Sequence, residues 1–187
     1  MRAYSELLLK WNRVYNLTAV RDPEKIITHH LLDSLAVLPY VEGPRVVDVG
    51  AGAGLPGIPL AIAAPSLQIT LIESNQKKCA FLTQVRVEIG LGNVAVACQR
   101  VQDHRSSVGF NTLICRAFSS ISEFLAGAAP LCADGGVMLA MKGVYPAEAL
   151  RSIPAGLQLE AVRALQVPGL GAERHLVIVR KPAAAAA

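Results

Sequence analysis

The chain has 187 residues, 52% hydrophobic and 17% charged, with a mean hydropathy of +0.40; this is one domain's length, with too much apolar surface for a disordered chain. Its longest apolar runs, such as 59–64 and 137–141, are far shorter than a membrane-spanning helix, and charges flank Leu7–Leu9 on both sides where a secretory leader would have one basic end. The balance of 18 basic to 14 acidic residues, net +4, leans towards polyanionic partners without naming one.

A cytoplasmic protein with no membrane partner is therefore expected. Cys79, Cys98, Cys115 and Cys132 form no Cys-x-x-Cys pair and have no adjacent histidine. That spacing predicts reduced thiols and no metal centre.

Over residues 4–16, Leu7, Leu8, Trp11 and Tyr15 recur at helical steps, and Asn16-Leu17-Thr18 breaks the pattern. Asp22-Pro23 supplies an N-cap and a first-turn proline for a second helix, through Ile26, Ile27, His30 and Leu31 to Leu38, where Pro39 stops it. From residue 45 the pattern switches to short β-branched runs alternating with helical ones. Strands are predicted at 45–49, 68–72, 94–98, 112–115 and 137–141, with helices at 55–64, 76–91 and 121–131. Gly135-Gly136 reads as a turn, and 157–164 with 175–180 as a late hairpin. Alternating strands and helices require crossovers, so a doubly wound α/β fold with a mostly parallel sheet follows. A helical N-terminal segment (1–40) would pack on a core (41–181), followed by a low-complexity tail (182–187) expected to be disordered.

The densest signal is Asp48-Val49-Gly50-Ala51-Gly52-Ala53-Gly54-Leu55-Pro56-Gly57. Glycines after a strand permit a sharp turn and close ligand approach, and the next helix offers free N–H groups to an anion. Gly52–Gly57 fits the GxGxxG pattern of dinucleotide enzymes, with Glu73 21 residues after Gly52. The same stretch, an acid ending a strand before a GxG loop, resembles the first motif of S-adenosylmethionine-dependent methyltransferases. Glu73 suits ribose hydroxyls under either reading. A tight turn that binds nothing is the bland alternative.

Trp11-Asn12-Arg13-Val14-Tyr15-Asn16-Leu17-Thr18 and His30-Leu31-Leu32-Asp33-Ser34-Leu35, followed by the Asp48–Leu60 loop with its Leu-Pro-Gly-Ile-Pro-Leu run, resemble the bacterial small-subunit ribosomal RNA methyltransferase G family, also called glucose-inhibited division protein B. Arg116-Ala117-Phe118, Met141-Lys142-Gly143 and Glu173-Arg174-His175-Leu176 are similar to its later motifs, and the likeness runs from about residue 4 to about 180. The resemblance implies a Rossmann-like class I methyltransferase, with a mostly parallel seven-stranded sheet and an antiparallel last strand. It also implies methyl transfer from S-adenosyl-L-methionine to N7 of one guanine, 527 in the family's convention, in a loop of 16S ribosomal RNA. The family usually has a further helical stretch before the Trp11 motif, and this sequence starts later. It departs from the pattern at Asn111 and Gln102, where acidic residues are common.

Guanine N7 has a free lone pair at neutral pH, so this reaction requires no obligatory general base. Alignment alone contributes on the order of 7–11 kcal/mol. Candidate cofactor residues are Asp48 (ammonium), Gly50, Gly52 and Gly54 (methionine moiety), Leu55 (apolar wall), Glu73 (ribose), and Val101 and Gln102 (adenine). Val101 and Leu55 equally suit plain core packing. Arg116, ending the fourth strand, is a candidate for the cofactor carboxylate, a phosphate or the guanine, or for a solvated side chain. Lys142 at the same edge suits an RNA phosphate or solvent.

His30 and Asp33, three apart, form a candidate pair at the cofactor mouth, with a structural histidine the commoner fate. His29 and His104 show no partner signal. Lys10, Arg13, Arg21 and Lys25 beside Trp11 and Tyr15 suit RNA, although both aromatics also fall on the Leu7 face expected to be core. Arg174 is an RNA candidate or merely structural. N7 lies in the deep groove of A-form RNA, so the target must be unpaired, presented by an assembled or assembling small subunit to a monomeric enzyme. The competing readings are an NAD-dependent oxidoreductase, a nonenzymatic RNA-binding assembly factor, and a small-molecule methyltransferase.

Overall fold

The computed structural model describes residues 1–118, 120–147, 150 and 153–183. Seven strands form one sheet: β1 (Arg45–Val49), β2 (Gln68–Glu73), β3 (Val94–Cys98), β4 (Phe110–Arg116), β5 (Cys132–Lys142), β6 (Gln158–Ala164) and β7 (His175–Arg180). Their order is β3-β2-β1-β4-β5-β7-β6. The pairings among the first five are parallel, while β7 runs antiparallel to both β5 and β6. This is the Rossmann-like class I methyltransferase arrangement, with the expected antiparallel last strand.

Side-chain alternation divides the core in two. Val46, Ile114, Val137, Leu139 and Met141 belong to one apolar cluster, and Val47, Leu113, Cys115, Met138 and Ala140 to the other. That period of two explains why β1, β4 and β5 read as continuous apolar runs, since both faces are buried. Helices α1 (Arg2–Tyr15), α4 (Gly57–Ala63) and α5 (Gln76–Ile89) cover the first face through Tyr4, Leu7, Leu8, Ile58, Leu60, Phe81 and Leu82. Helix α6 (Ile121–Ala128) covers the second through Ile121, Phe124 and Leu125.

Several local signals hold. Asp22 caps α2 (Pro23–Ile26), its carboxylate accepting from the Glu24 N–H at 3.0 Å. Asn16 ends α1 in the left-handed region at φ 49°.

The structure departs from the reading in three places. The second helix is not a regular α-helix: after α2 it passes through a π-helical stretch, Ile27–Leu32, into α3 (Asp33–Leu35), then a 3-10 turn at Leu38–Tyr40. Gly135-Gly136 lies inside β5, in a bulge between the pairs Phe110↔Cys132 and Thr112↔Val137. Lys181 holds that bulge, its carbonyl accepting from the Gly135 N–H at 2.9 Å and its N–H donating to the Gly136 carbonyl at 3.0 Å. Helix α4 starts at Gly57 instead of Leu55 because the Asp48 carboxylate accepts from the Gly57 N–H at 2.8 Å and sets the first turn there. The low-complexity tail lies outside the described residues from 184 onward.

Candidate active site

The β1–α4 loop turns where its sequence demands. Gly50 and Gly52 sit at φ 70° and 58°, backbone that favours glycine. A Cβ on Gly52 would meet only the Gly50 carbonyl, at 3.8 Å, so the loop is open on its outer side. Gly54 is different. A Cβ there would lie 2.5 Å from Ile58 and 2.9 Å from Leu82, so close helix packing, and not ligand approach, requires this glycine.

Asp48 also differs from the expectation. It is fully buried behind the loop, with Oδ2 on the Gly57 N–H and Oδ1 without a hydrogen-bond partner among the described residues. Burial pushes its carboxyl up to about 7. From there it supports the loop and does not face outward.

Three clefts run along the carboxyl edge of the sheet, where ligands bind in such folds. The first, of about 260 Å³, is lined by residues including Gly50, Glu73, Gln99, Val101, Gln102 and Phe118. The second, about 280 Å³, shares Gly50 with it and adds Gly52, Leu55, Thr18, Lys78 and Arg116. The third, about 360 Å³, shares Arg116 and Ala117 with the second and adds His30, Asp33, Lys142 and Arg174. Shared residues make the three one groove, from Glu73 past the glycine loop to the end of β5. Val101, Gln102 and Glu73 thus line one cleft, with Leu55 in the next.

Glu73 is preset. Its Oε2 accepts from the Gly52 N–H at 2.9 Å and its Oε1 from the Asn75 N–H at 2.8 Å, tying β2 to the loop. Asn75 in turn caps α5, accepting from the N–H groups of Lys77 and Lys78.

In the third cleft Asp33 is central, at 2% side-chain exposure. Its Oδ2 takes Arg116 at 3.0 Å and its Oδ1 takes Arg174 at 2.8 Å. The expected His30–Asp33 pair does not form, because both carboxylate oxygens are occupied by guanidinium groups. Nδ1 of His30 lies 2.8 Å from the His29 carbonyl, which can only accept, and 3.4 Å from a terminal nitrogen of Arg116, which can only donate; the shorter contact puts the proton on Nδ1. Nε2 then accepts from the Thr18 hydroxyl at 2.7 Å. Burial and the neighbouring Arg116 lower the histidine to about 4. His30 is a neutral histidine with both ring nitrogens engaged. The Lys142 ammonium donates to the Phe118 carbonyl at 2.9 Å.

Sequence reasoning missed three features here. The Asp33–Arg174 bridge joins residues 141 positions apart, and no local pattern reports that. Phe118 lines the first cleft, while Ala117 adopts φ 57° at the junction of the other two. The Arg116-Ala117-Phe118 motif carried that signal without a geometry.

The basic N-terminal residues lie apart from the groove. Lys10, Arg13, Arg21 and Lys25 are exposed, and Arg13 and Arg21 line a separate cleft of about 410 Å³. Trp11 packs at 5.6 Å on Phe81, as core, while Tyr15 stacks on its outer side with 41% exposure. Asn111 accepts from the Arg45 N–H at the opposite end of the sheet, remote from the groove. Among the described residues, no helix is long and apolar enough to cross a membrane.

Comparison with known proteins matches the sequence to a family. The model of rRNA small subunit methyltransferase G matches residues 1–177. A ribosomal RNA small subunit methyltransferase G from Nitrosospira multiformis is 51% identical over 185 residues, covering 95% of this chain and 86% of its own. One from Neisseria gonorrhoeae is 51% identical over 180 residues, covering 96% and 86%. Among solved structures, TrmN from Thermus thermophilus superposes with a TM-score of 0.63 at 18% identity, covering 79% of this chain; the match spans about half (48%) of that longer protein, a likeness of fold alone.

Proposed function

The chain belongs to the rRNA small subunit methyltransferase G family, and from that premise we propose that it methylates N7 of a single guanine in 16S ribosomal RNA by positioning, without a general base. Membership sets aside the dinucleotide reading of the glycine loop. The cofactor of this family is S-adenosyl-L-methionine, which when bound supplies a methyl group already activated by its sulfonium.

The residues present fit that cofactor. Glu73, oriented by two backbone N–H groups, would hold the ribose hydroxyls. Val101 and Gln102 would flank the adenine in the same cleft. The open backbone at Gly50 and Gly52, with Leu55 as apolar wall, would take the methionine moiety in the next. Asp48 acts through the loop that it supports.

The single observation that carries the reading is the continuity of the groove, which brings a nucleoside-sized cleft, the glycine loop and a cationic cleft into series. The third cleft would admit the target base. Arg116 and Arg174, fixed by Asp33, keep its wall in place, and a neutral His30 anchors the loop at Thr18. Among the described residues no side chain there is poised to remove a proton, and N7 has none to lose. Lys10, Arg13, Arg21 and Lys25 would attract phosphates outside the groove. The substrate is the loop as presented by the small subunit, and the N-terminal segment is the RNA-facing cap of the core.

Transfer of labelled methyl to small subunits lacking the modification, with stripped RNA alongside, tests this. Incorporation at one guanine, revealed by aniline cleavage after reduction and faster on subunits, is expected. Incorporation at another atom or base, or none, would refute the reading.

A further inference from the structure

We propose that Lys142 reads O6 of the target guanine, which makes the third cleft a guanine-selective subsite. This deepens the guanine-N7 reading and rests on it. Among the described residues, the charged side chains lining the cleft are three cations, Arg116, Lys142 and Arg174, and one carboxylate, Asp33. Both Asp33 oxygens are taken by the arginines, at 3.0 and 2.8 Å, so the charged wall offers an incoming base donors and no free carboxylate acceptor.

A purine that presents N7 for methylation necessarily presents its neighbouring ring substituent to the same wall. In guanine that group is O6, an acceptor, and in adenine it is an amino donor. A donor wall therefore welcomes one purine and rejects the other.

Lys142 is the donor best placed for this. Arg116 spends one terminal nitrogen on both the His29 carbonyl and Asp33, and its other terminal nitrogen lies 3.4 Å from Nδ1 of His30. Arg174 commits Nε to Asp33 and one terminal nitrogen to the Glu173 carbonyl. Among the described residues the Lys142 ammonium makes one bond, to the Phe118 carbonyl at 2.9 Å, which fixes its position and leaves two N–H groups. Phe118 also lies against the cofactor loop, since a Cβ on Gly50 would sit 3.5 Å from its ring. The ammonium, which lines the third cleft, is thus tethered to a residue that lines the first. A cation at O6 draws electron density away from N7, so its contribution is selection and not acceleration.

The test uses the full chain and semisynthetic small subunits carrying either guanine or 2-aminopurine, which lacks O6, at the target. The unaltered protein is expected to methylate guanine roughly ten- to a hundredfold faster; equal rates would overturn the proposal. Lys142→Met is expected to lose most of that preference with an unchanged dependence on salt. The comparison is between two substrates of one protein, so general weakening of the variant cancels. Equal losses on both targets, with a salt slope reduced by about 1, would instead mark a phosphate contact and overturn the assignment. Failure of the unaltered protein to methylate either target at N7 would overturn the methylation reading and this assignment together.

Discussion

Replacing Asp33 by asparagine perturbs the groove at the point where three parts of the chain meet. Asp33 belongs to α3, Arg116 ends β4 and Arg174 precedes β7. The substitution keeps the side-chain shape but leaves one acceptor oxygen for two guanidinium groups, and turns an amide donor towards the other. Exposed ion pairs contribute about 0.2–1 kcal/mol, whereas breaking a buried one costs about 3–5 kcal/mol. Here the carboxylate is 2% exposed while the arginines retain 19% and 22%, so an intermediate loss of about 2–4 kcal/mol is expected. Urea unfolding followed by Trp11 fluorescence would read it, since this single tryptophan packs 5.6 Å from Phe81. With a slope of about 1–3 kcal/mol per molar urea, the midpoint should fall by about 0.7–4 M. Combining Asp33→Asn with Arg174→Met should then cost less than the sum of the two, because the remaining amide oxygen needs to serve Arg116 alone. A single-variant loss below about 1 kcal/mol, or additivity within about 0.5 kcal/mol, would show that water and not Asp33 compensates the arginines.

Tyr4→Phe removes a fully buried hydroxyl that donates to the Ala53 carbonyl at 2.7 Å and should cost about 1–3 kcal/mol in thermal or urea unfolding; an unchanged stability would mean that the carbonyl finds another donor. Glu73→Gln loses charge and one of two backbone acceptors, so calorimetry with S-adenosyl-L-methionine should show affinity reduced by about 1.5–3 kcal/mol, roughly ten- to a hundredfold; full affinity would remove Glu73 from the ribose. His30 is lowered from 6.5 to about 4 in the fold, so the unfolded chain binds more protons between those values. Its contribution, an upper bound of about 3 kcal/mol, is complete above pH 6.5 and is lost as pH falls towards 4. Asp48, pushed up to about 7, acts in the opposite sense, so the difference between the unaltered protein and His30→Gln isolates the histidine. Single-turnover methyl transfer should stay level across neutrality, and a rate limb near pH 4 that His30→Gln abolishes would restore His30 as a base.

The parts legible in the sequence are those set by local physics. Strand alternation, the Asp22 cap and the glycine loop each depend on neighbours within a few residues, and each stands where the pattern put it. Fold class follows from the order of such elements. The errors arise where a distant partner decides. Gly135-Gly136 reads as a turn until Lys181 bonds to both glycines. Gly54 reads as a ligand glycine until Leu82, on another helix, occupies the space. His30 and Asp33 have the spacing of a pair, yet Thr18, Arg116 and Arg174 claim them first. A π-helical stretch has no signature in spacing rules built on 3.6 residues per turn.

The place of β7 bears on how the molecule is made. The five parallel strands and β6 precede it along the chain, yet it inserts between β5 and β6. During synthesis, which proceeds at about 5–20 residues per second, β5 must wait with one apolar edge unpaired until residues 175–180 leave the ribosome. Arg174 arrives at the same moment, immediately ahead of that strand, and closes onto Asp33. The third cleft is therefore completed by the same event that seals the sheet, so a nascent or C-terminally nicked chain holds the glycine loop without a finished wall opposite it.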